Sequence, residues 1–395
     1  MNYYDFIDRN SSLLQDDIEE NKDTLLSLIA GASFLVIGGG GSIGQAVVKE
    51  LFSRNPRVLH VVDLSENSLV ELVRDIRSTK GYIDGDFSTY SIDYGSVEFD
   101  SFFKANGPYD YVLNLSALKH VRSERDPYTL MRMLKVNVAD TVRLLHMLNE
   151  QGNCRKYFCV STDKAANPVN LMGASKRVME YGLMSLKEDL NVSSARFANV
   201  LFSCGSLPEG FTYRFNKQQP LAGPSDVERY FVTPEESGQL CLMSCLLGND
   251  RELFFPKPQL LTPITFKEIA TVFLQKHGYE PLMCDSEEEA RIKVKEALTR
   301  RQWPCYFSSS DTTGEKPLEE FFQEEEIPDM NRFSGLGVLQ YSLSCDIEAM
   351  NRFLEGMSLL RDKGVWSKKE IVELVQQVLP DFHHWEKQKY LDGKM

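Results

Sequence analysis

The sequence predicts an α/β protein built on a doubly wound parallel sheet. Three observations carry this. Apolar, strand-length runs alternate with longer runs of helical period, the pattern of βαβ units. A glycine cluster sits at the first strand-to-helix junction. A group of reactive side chains directly follows a later apolar run, where an open α/β sheet places its chemistry.

Residues 1–30 read as a polar, acidic arm with helical spacing at Leu13, Leu14, Ile18, Leu25, Leu26 and Ile29. Phe34-Leu-Val-Ile37 then predicts a strand, followed by a helix from Ser42 to about Arg54. Val58-Leu-His-Val-Val62 and a helix from about Glu66 to Thr79 repeat the unit. Tyr111-Val-Leu-Asn-Leu115 precedes a long helical stretch through Met147, and Tyr157-Phe-Cys-Val160 precedes one beginning near Gly173. Ser194-Ala-Arg-Phe-Ala198 closes the series, so residues 31–200 form the first domain. Beyond it, Gly/Pro-containing loops mark a smaller, mixed substrate-binding region over 201–330, with segments near 234–256 returning to the first domain. Thr233-Pro-Glu-Glu236, Thr265-Phe-Lys-Glu268 and Ser367-Lys-Lys-Glu370 are capping boxes that start later helices. The charged stretch from Asp285 to about Asp329 reads as solvated faces, and 331–395 as a helical extension.

The chain of 395 residues carries 44 basic and 57 acidic residues, a formal charge of −13. That balance argues against sequence-independent binding to nucleic acid or anionic membrane. No apolar run reaches the ~18 residues that span a bilayer. The first residues are acidic and polar rather than basic and apolar, unlike a secretory leader. The eight cysteines show no C-x-x-C pair and no zinc spacing, which suits reduced thiols and a cytoplasmic protein without a metal. His383-His384-Trp385 reads as packing or surface, not as a metal site.

Gly38-Gly-Gly-Gly41-Ser42-Ile43-Gly44 follows a predicted strand and opens a helix, the setting of a Rossmann-type dinucleotide site. Its glycines permit a tight turn and close approach of backbone to a pyrophosphate, whose charge faces the helix N-terminus. Asp63 ends the second strand at the spacing expected of a carboxylate for the adenosine ribose. An anion there repels a 2′-phosphate, and Leu64-Ser-Glu-Asn67 offers no arginine to receive one. The cofactor favoured is NAD.

Ser161-Thr162-Asp163-Lys164 puts a hydroxyl, an acid and an amine in consecutive positions after the Tyr157–Val160 run, and a second amine, Lys176, follows on the next helix. Together they suit a reaction that moves protons on a bound substrate. Met172 and Lys176 lie four residues apart and share a helix face.

On these motifs the chain resembles the extended short-chain dehydrogenase/reductase superfamily and, within it, the bacterial UDP-N-acetylglucosamine 4,6-dehydratases of the polysaccharide biosynthesis protein family. Asn114-Leu-Ser-Ala-Leu-Lys-His-Val121, Asn137, Gly173-Ala-Ser-Lys176, Arg196-Phe-Ala-Asn-Val200, Gly205-Ser206 and Glu228-Arg-Tyr-Phe-Val-Thr-Pro234 continue the likeness, from about Ser33 to Gly314-Glu-Lys316. The resemblance implies that Asp93 and Tyr94 contact adenine and that Asn114, Ser116 and Ala117 line the cofactor cleft. It implies that Lys176 bonds the nicotinamide ribose, and that Lys119 points to the nicotinamide or the substrate diphosphate. Asn199 and Arg229 are implied substrate ligands.

The implied reaction moves a hydride from sugar C4 to NAD, eliminates water across C5–C6, and returns the hydride to C6. Thr162 would bond the 4-hydroxyl, Asp163 would protonate the departing C6 oxygen, and Lys164 would take the C5 proton. Those roles need a protonated Asp163 and a neutral Lys164, states that burial favours and mutual attraction opposes. The superfamily usually carries Tyr-x-x-x-Lys; here the first residue is Met172, which cannot serve as a base. Methionine at this place resembles the branch that retains configuration at C5. Two alternatives stand beside the dehydratase: a nucleotide-sugar 4-epimerase, which has no use for an adjacent acid and base, and a catalytically silent nucleotide-sugar-binding protein. The superfamily's habit of pairing long helices suggests a homo-oligomer through Met131–Met147.

Overall fold

The computed structural model describes residues 2–185, 190–310, 316–341 and 347–384. Gly314, Glu315, Cys345 and Trp385, singled out in the sequence, lie outside these residues. An eight-stranded sheet forms the centre. Its first six strands are β1 (Ser33–Ile37), β2 (Val58–Asp63), β3 (Asp86–Ser91), β4 (Tyr111–Asn114), β5 (Lys156–Thr162) and β6 (Val192–Phe197). Across the sheet the order is β3, β2, β1, β4, β5, β6, then Glu252–Pro256 and Leu336–Gln340. Every pairing is parallel except the last, where Leu336–Gln340 runs antiparallel to Glu252–Pro256. The winding reverses between β1 and β4, so a crevice opens at their carboxyl ends.

Helices in the first two hundred residues are α1 (Gln15–Glu20), α2 (Lys22–Ile29), α3 (Ser42–Phe52), α4 (Glu66–Thr79), α5 (Val97–Asn106), α6 (Pro127–Leu134), α7 (Asp140–Gln151) and α8 (Leu171–Ser185). A π-helical turn, Lys135–Ala139, joins α6 to α7. The strands β1, β4 and β5 are buried almost throughout because helices cover both faces. β3 has no such run: Asp86-Phe-Ser-Thr-Tyr-Ser91 is a half-buried edge strand, and its polarity hid it in the sequence. The helix Pro234–Leu246 packs against α3. A Cβ at Gly238 would lie 2.8 Å from the Ala46 backbone, so glycine sets how closely those helices approach.

A second apolar core gathers Phe211, Phe273 and Trp303 beside a three-stranded parallel sheet of Glu280–Met283, Gln302–Ser308 and Leu221–Pro224. The N-terminal segment is not a detached arm. Phe6 and Ile7 enter this second core, whereas Leu14, Leu25 and Ile29 enter the main one. Arg9 pairs with Glu236 at 2.7 Å, and buried Asp17 accepts the backbone N–H groups of Ser334 and Gly335.

The helices Ile347–Lys363 and Lys368–Val378 pack against α8, and the second also against α6. Trp366 donates its indole N–H to the Pro127 carbonyl at 2.8 Å. Met131, Met133, Leu144 and Leu145, on the stretch expected to meet a second subunit, are buried within this chain.

Candidate active site

The turn after β1 is built so that only glycine fits at two places. Gly38 has φ +79°, and a Cβ there would lie 2.6 Å from the Ser116 nitrogen. A Cβ on Gly44 would meet the Gly38 carbonyl at 2.1 Å. At Gly41, by contrast, a Cβ would meet nothing nearer than 3.5 Å, so the space above it is open. Gly41 also N-caps α3 without a side-chain cap, leaving first-turn N–H groups for an anion. These residues fit a dinucleotide pyrophosphate.

Gly38, Gly41, Asp63, Asp93, Tyr94, Ser116 and Ala117 line one cavity of about 220 Å³ at the sheet's winding reversal. Asp63 accepts the N–H groups of Gly40 (2.9 Å) and Ser65 (2.8 Å), which fixes its carboxylate at the cavity wall. Tyr94 donates its hydroxyl to the Val136 carbonyl, and burial raises its pKa. Asn114, at the end of β4, is fully buried, donating to the Tyr157 hydroxyl at 2.9 Å and accepting the Ser116 N–H at 3.2 Å. The Ser42 hydroxyl accepts the Cys204 N–H at 2.7 Å. Ile43 packs against the main core.

The reactive trio follows β5. Asp163, 2% exposed, accepts from the Thr162 hydroxyl at 2.8 Å and from the Lys164 amine at 3.1 Å through the same oxygen. The Lys164 N–H also donates to that oxygen at 2.8 Å. Lys176 is buried and donates to the Val160 carbonyl at 2.9 Å, two residues before Thr162. Desolvation lowers its pKa, opposed by the nearby Cys159 and Glu180.

Met172 is buried in the first turn of α8, where its N–H donates to Glu124 at 3.0 Å. The other oxygen of Glu124 pairs with His384 at 2.8 Å, so the C-terminal extension reaches the start of α8 through one buried carboxyl. Among the described residues no group of three or more His, Cys, Asp or Glu side chains is placed to hold a metal ion.

The three residues expected to bind substrate lie apart from the first cavity. Lys119 is exposed by area, yet the atoms around its ammonium desolvate it and lower its pKa, with Cys204 and Glu209 opposing. Asn199 bonds the Tyr230 carbonyl at 3.0 Å through its N–H. Arg229, 5% exposed, donates to the carbonyls of Lys316 and Pro317 at 2.9 and 3.2 Å. A second cavity of about 450 Å³ lies beside Gly205, Ser206 and the helix Leu207–Asn216, walled by Phe211, Tyr213, Arg214, Phe266 and Tyr306. These aromatics stand at unrelated sequence positions, and no motif announced them.

The charged stretch after Asp285 requires correction. Glu324 and Glu325 are exposed, but Glu319 is 4% exposed and lies 3.8 Å from the Lys164 amine. Burial raises its pKa, opposed first by Lys164. Glu326 pairs with Arg196 at 3.2 Å and with Arg177 at 3.5 Å. Both arginines also hold Glu180, itself buried beneath Ser161. Runs of acidic residues in the sequence disguised two that fold inwards, Glu319 to half-buried Lys164 and Glu326 to the buried arginines.

Fold and site together define an α/β protein with a dinucleotide-type glycine turn and an acid–amine pair at a neighbouring strand end. The chain belongs to the polysaccharide biosynthesis protein family, whose profile matches residues 34–332. It is 29% identical over 359 residues to an uncharacterized membrane protein of Methanocaldococcus jannaschii, covering 88% of this chain and 96% of that one. It is 30% identical over 249 residues to the capsular polysaccharide biosynthesis protein CapD of Staphylococcus aureus, covering 61% of this chain but 40% of CapD. A UDP-N-acetylglucosamine 4,6-dehydratase (inverting) of Campylobacter jejuni matches at 25% over 237 residues, 58% of this chain and 67% of that one. The structure of Pen from Bacillus thuringiensis superposes with a TM-score of 0.64 at 20% identity, covering 80% of this chain and 89% of Pen. No helix among the described residues is long and apolar enough to cross a membrane.

Proposed function

We propose that the chain is an NAD-dependent 4,6-dehydratase of UDP-N-acetylglucosamine, yielding a 4-keto-6-deoxy sugar with retained C5 configuration for glycan synthesis. The observation that carries this reading is the Asp163 carboxyl, buried at the end of β5 and shared between the Thr162 hydroxyl and the Lys164 amine. Family membership and the dehydratase relative support it. Retention rests on Met172 alone.

NAD, when bound, supplies a hydride acceptor for C4 and a hydride donor for C6. The glycine turn and the N-terminus of α3 would hold its pyrophosphate, and Asp63 its adenosine ribose. Thr162 orients the 4-hydroxyl. With C4 oxidised to a ketone, the C5 proton becomes acidic and Lys164 removes it. Asp163 protonates the C6 oxygen, which leaves as water, and the C5–C6 bond becomes double. Lys164 returns the proton to C5 as hydride reaches C6, and the proton released from the 4-hydroxyl on oxidation restores Asp163, so the site ends as it began. The aromatic second cavity suits the nucleotide of the substrate, and the Gly205 turn with Lys119 lies beside it.

Incubation with UDP-N-acetylglucosamine, followed by NMR of the product, tests the reading. A 4-keto-6-deoxy sugar with unchanged C5 configuration supports it. An inverted C5 removes the assignment to the retaining branch; a C4 epimer of unchanged mass makes the chain an epimerase; binding without turnover makes it a silent binder. Met172→Tyr is expected to be unnecessary for turnover. Activity confined to that variant would contradict the proposal.

A further inference from the structure

Glu319 is a buried carboxyl on the segment that crosses the site from the substrate-binding region. Lys164, at 3.8 Å, is its ion-pair partner among the described residues. Asp163, Arg229 and Lys316 are the other charged groups that act on it; Glu320, its neighbour, is exposed and pairs with Lys316 at 3.8 Å. The segment is pinned on its far side by Arg196 to the Phe321 carbonyl (2.7 Å) and by Arg177 to Gln323 (2.8 Å). The Lys164 amine thus lies within ion-pair distance of two buried carboxyls, Asp163 at 3.1 Å and Glu319 at 3.8 Å.

This arrangement bears on a difficulty in the proposed chemistry, and the inference rests on that reading. The acid Asp163 must carry a proton while the base Lys164 must lack one. With Asp163 and Lys164 alone, the working state competes directly with their ion pair. A third ionisable group changes the count. Two protons over three sites leave the cluster neutral, and among the neutral arrangements is one with both carboxyls protonated and the amine free. Burial favours that charge-free arrangement, and it also raises the pKa of Glu319.

We propose that Glu319 is a positioning residue for proton transfer: it takes the proton that Lys164 must lose before the amine can act on sugar C5. In the step, an N–H bond of the Lys164 ammonium breaks and an O–H bond forms on Glu319. Both charges vanish and no oxidation state changes. As Lys164 takes the C5 proton, its charge is now faced by a neutral carboxyl, ready for return of that proton to C5.

The test uses full-length Glu319→Gln with NAD and UDP-N-acetylglucosamine. The expected result is a kcat lower by roughly 10- to 100-fold, with KM near the wild-type value. One ionisation should also disappear from the kcat–pH profile, and Glu319→Asp should restore part of the rate. An unchanged kcat and profile would overturn the proposal. Lysine-selective NMR of Lys164 with NAD and UDP bound gives a readout independent of turnover. Proton uptake by Glu319 predicts that wild-type Lys164 shows a neutral-amine population at neutral pH. A Lys164 that stays fully charged as the ammonium is the result of a simple ion pair and would also overturn it. If the wild-type protein makes no product from UDP-N-acetylglucosamine, the substrate reading fails, while the amine signal still decides the exchange between Lys164 and Glu319.

Discussion

Replacing Arg196 with methionine probes what holds the site's two halves together. Arg196 is fully buried and donates to both oxygens of Glu180, at 3.0 and 2.8 Å, as well as to the Phe321 carbonyl and Glu326. Methionine fills similar volume but leaves Glu180 with Arg177 at 3.3 Å, Ser161 at 2.6 Å and Tyr341 at 3.1 Å. Breaking one partner out of a buried pair costs about 3–5 kcal/mol, and the surviving partners place this change near the lower end. With an unfolding entropy of ~2 cal/mol/K per residue, about 3 kcal/mol is a loss of roughly 4 °C in Tm. The pH dependence fixes the mechanism. In the wild type, burial would raise the Glu180 pKa, but Arg196 and its hydrogen bonds outweigh it and the pKa is lowered. Its contribution is therefore present above the ordinary carboxyl range and lost as pH falls through the folded value. Without Arg196 the folded pKa rises, so the penalty grows as pH rises. Calorimetry should find the Tm deficit larger at neutral than at mildly acidic pH. A variant that melts with the wild type at neutral pH, or whose deficit grows in acid, would refute the argument.

Gly44→Ala brings a Cβ to 2.1 Å from the Gly38 carbonyl; NAD titration should show binding lost, and retained affinity would mean the turn does not carry the pyrophosphate. Glu124→Ala removes the acceptor of the Met172 N–H and releases His384; a cost of about 2 kcal/mol and faster proteolysis of the C-terminal extension are expected, with unchanged cleavage as the contrary result. Lys176 has a pKa lowered chiefly by burial, so wild-type stability should climb as pH rises through its folded value toward the ordinary lysine range. Lys176→Met should flatten that rise while weakening NAD binding, and a variant that keeps the rise would show that another group causes it.

The parallel sheet and its glycine turn were legible because each relied on local rules. The Phe34–Ile37 run, the glycines and Asp63 follow one another within a single βαβ unit. The three capping boxes all form, with side chain and backbone bonded reciprocally at Thr233, Thr265 and Ser367. Thr162, Asp163 and Lys164 were legible because they are consecutive. Glu319 was not, since it lies far along the chain from Lys164 and amid residues whose composition signals solvent. Nor was Glu124: its partners are a backbone N–H on α8 and a histidine near the other end of the chain. β3 was missed because an edge strand needs no apolar run. The N-terminal arm showed helical spacing but gave no sign that it would divide its side chains between two cores.

The dehydration itself is tested most directly by mass. Wild-type protein incubated with NAD and UDP-N-acetylglucosamine should convert the nucleotide sugar to a species lighter by one water. Lys164→Ala should bind the same substrate with near wild-type affinity yet form that product at least ~100-fold more slowly. Unchanged substrate mass with the wild-type protein, or near-normal water loss from the Lys164→Ala variant, would contradict the account.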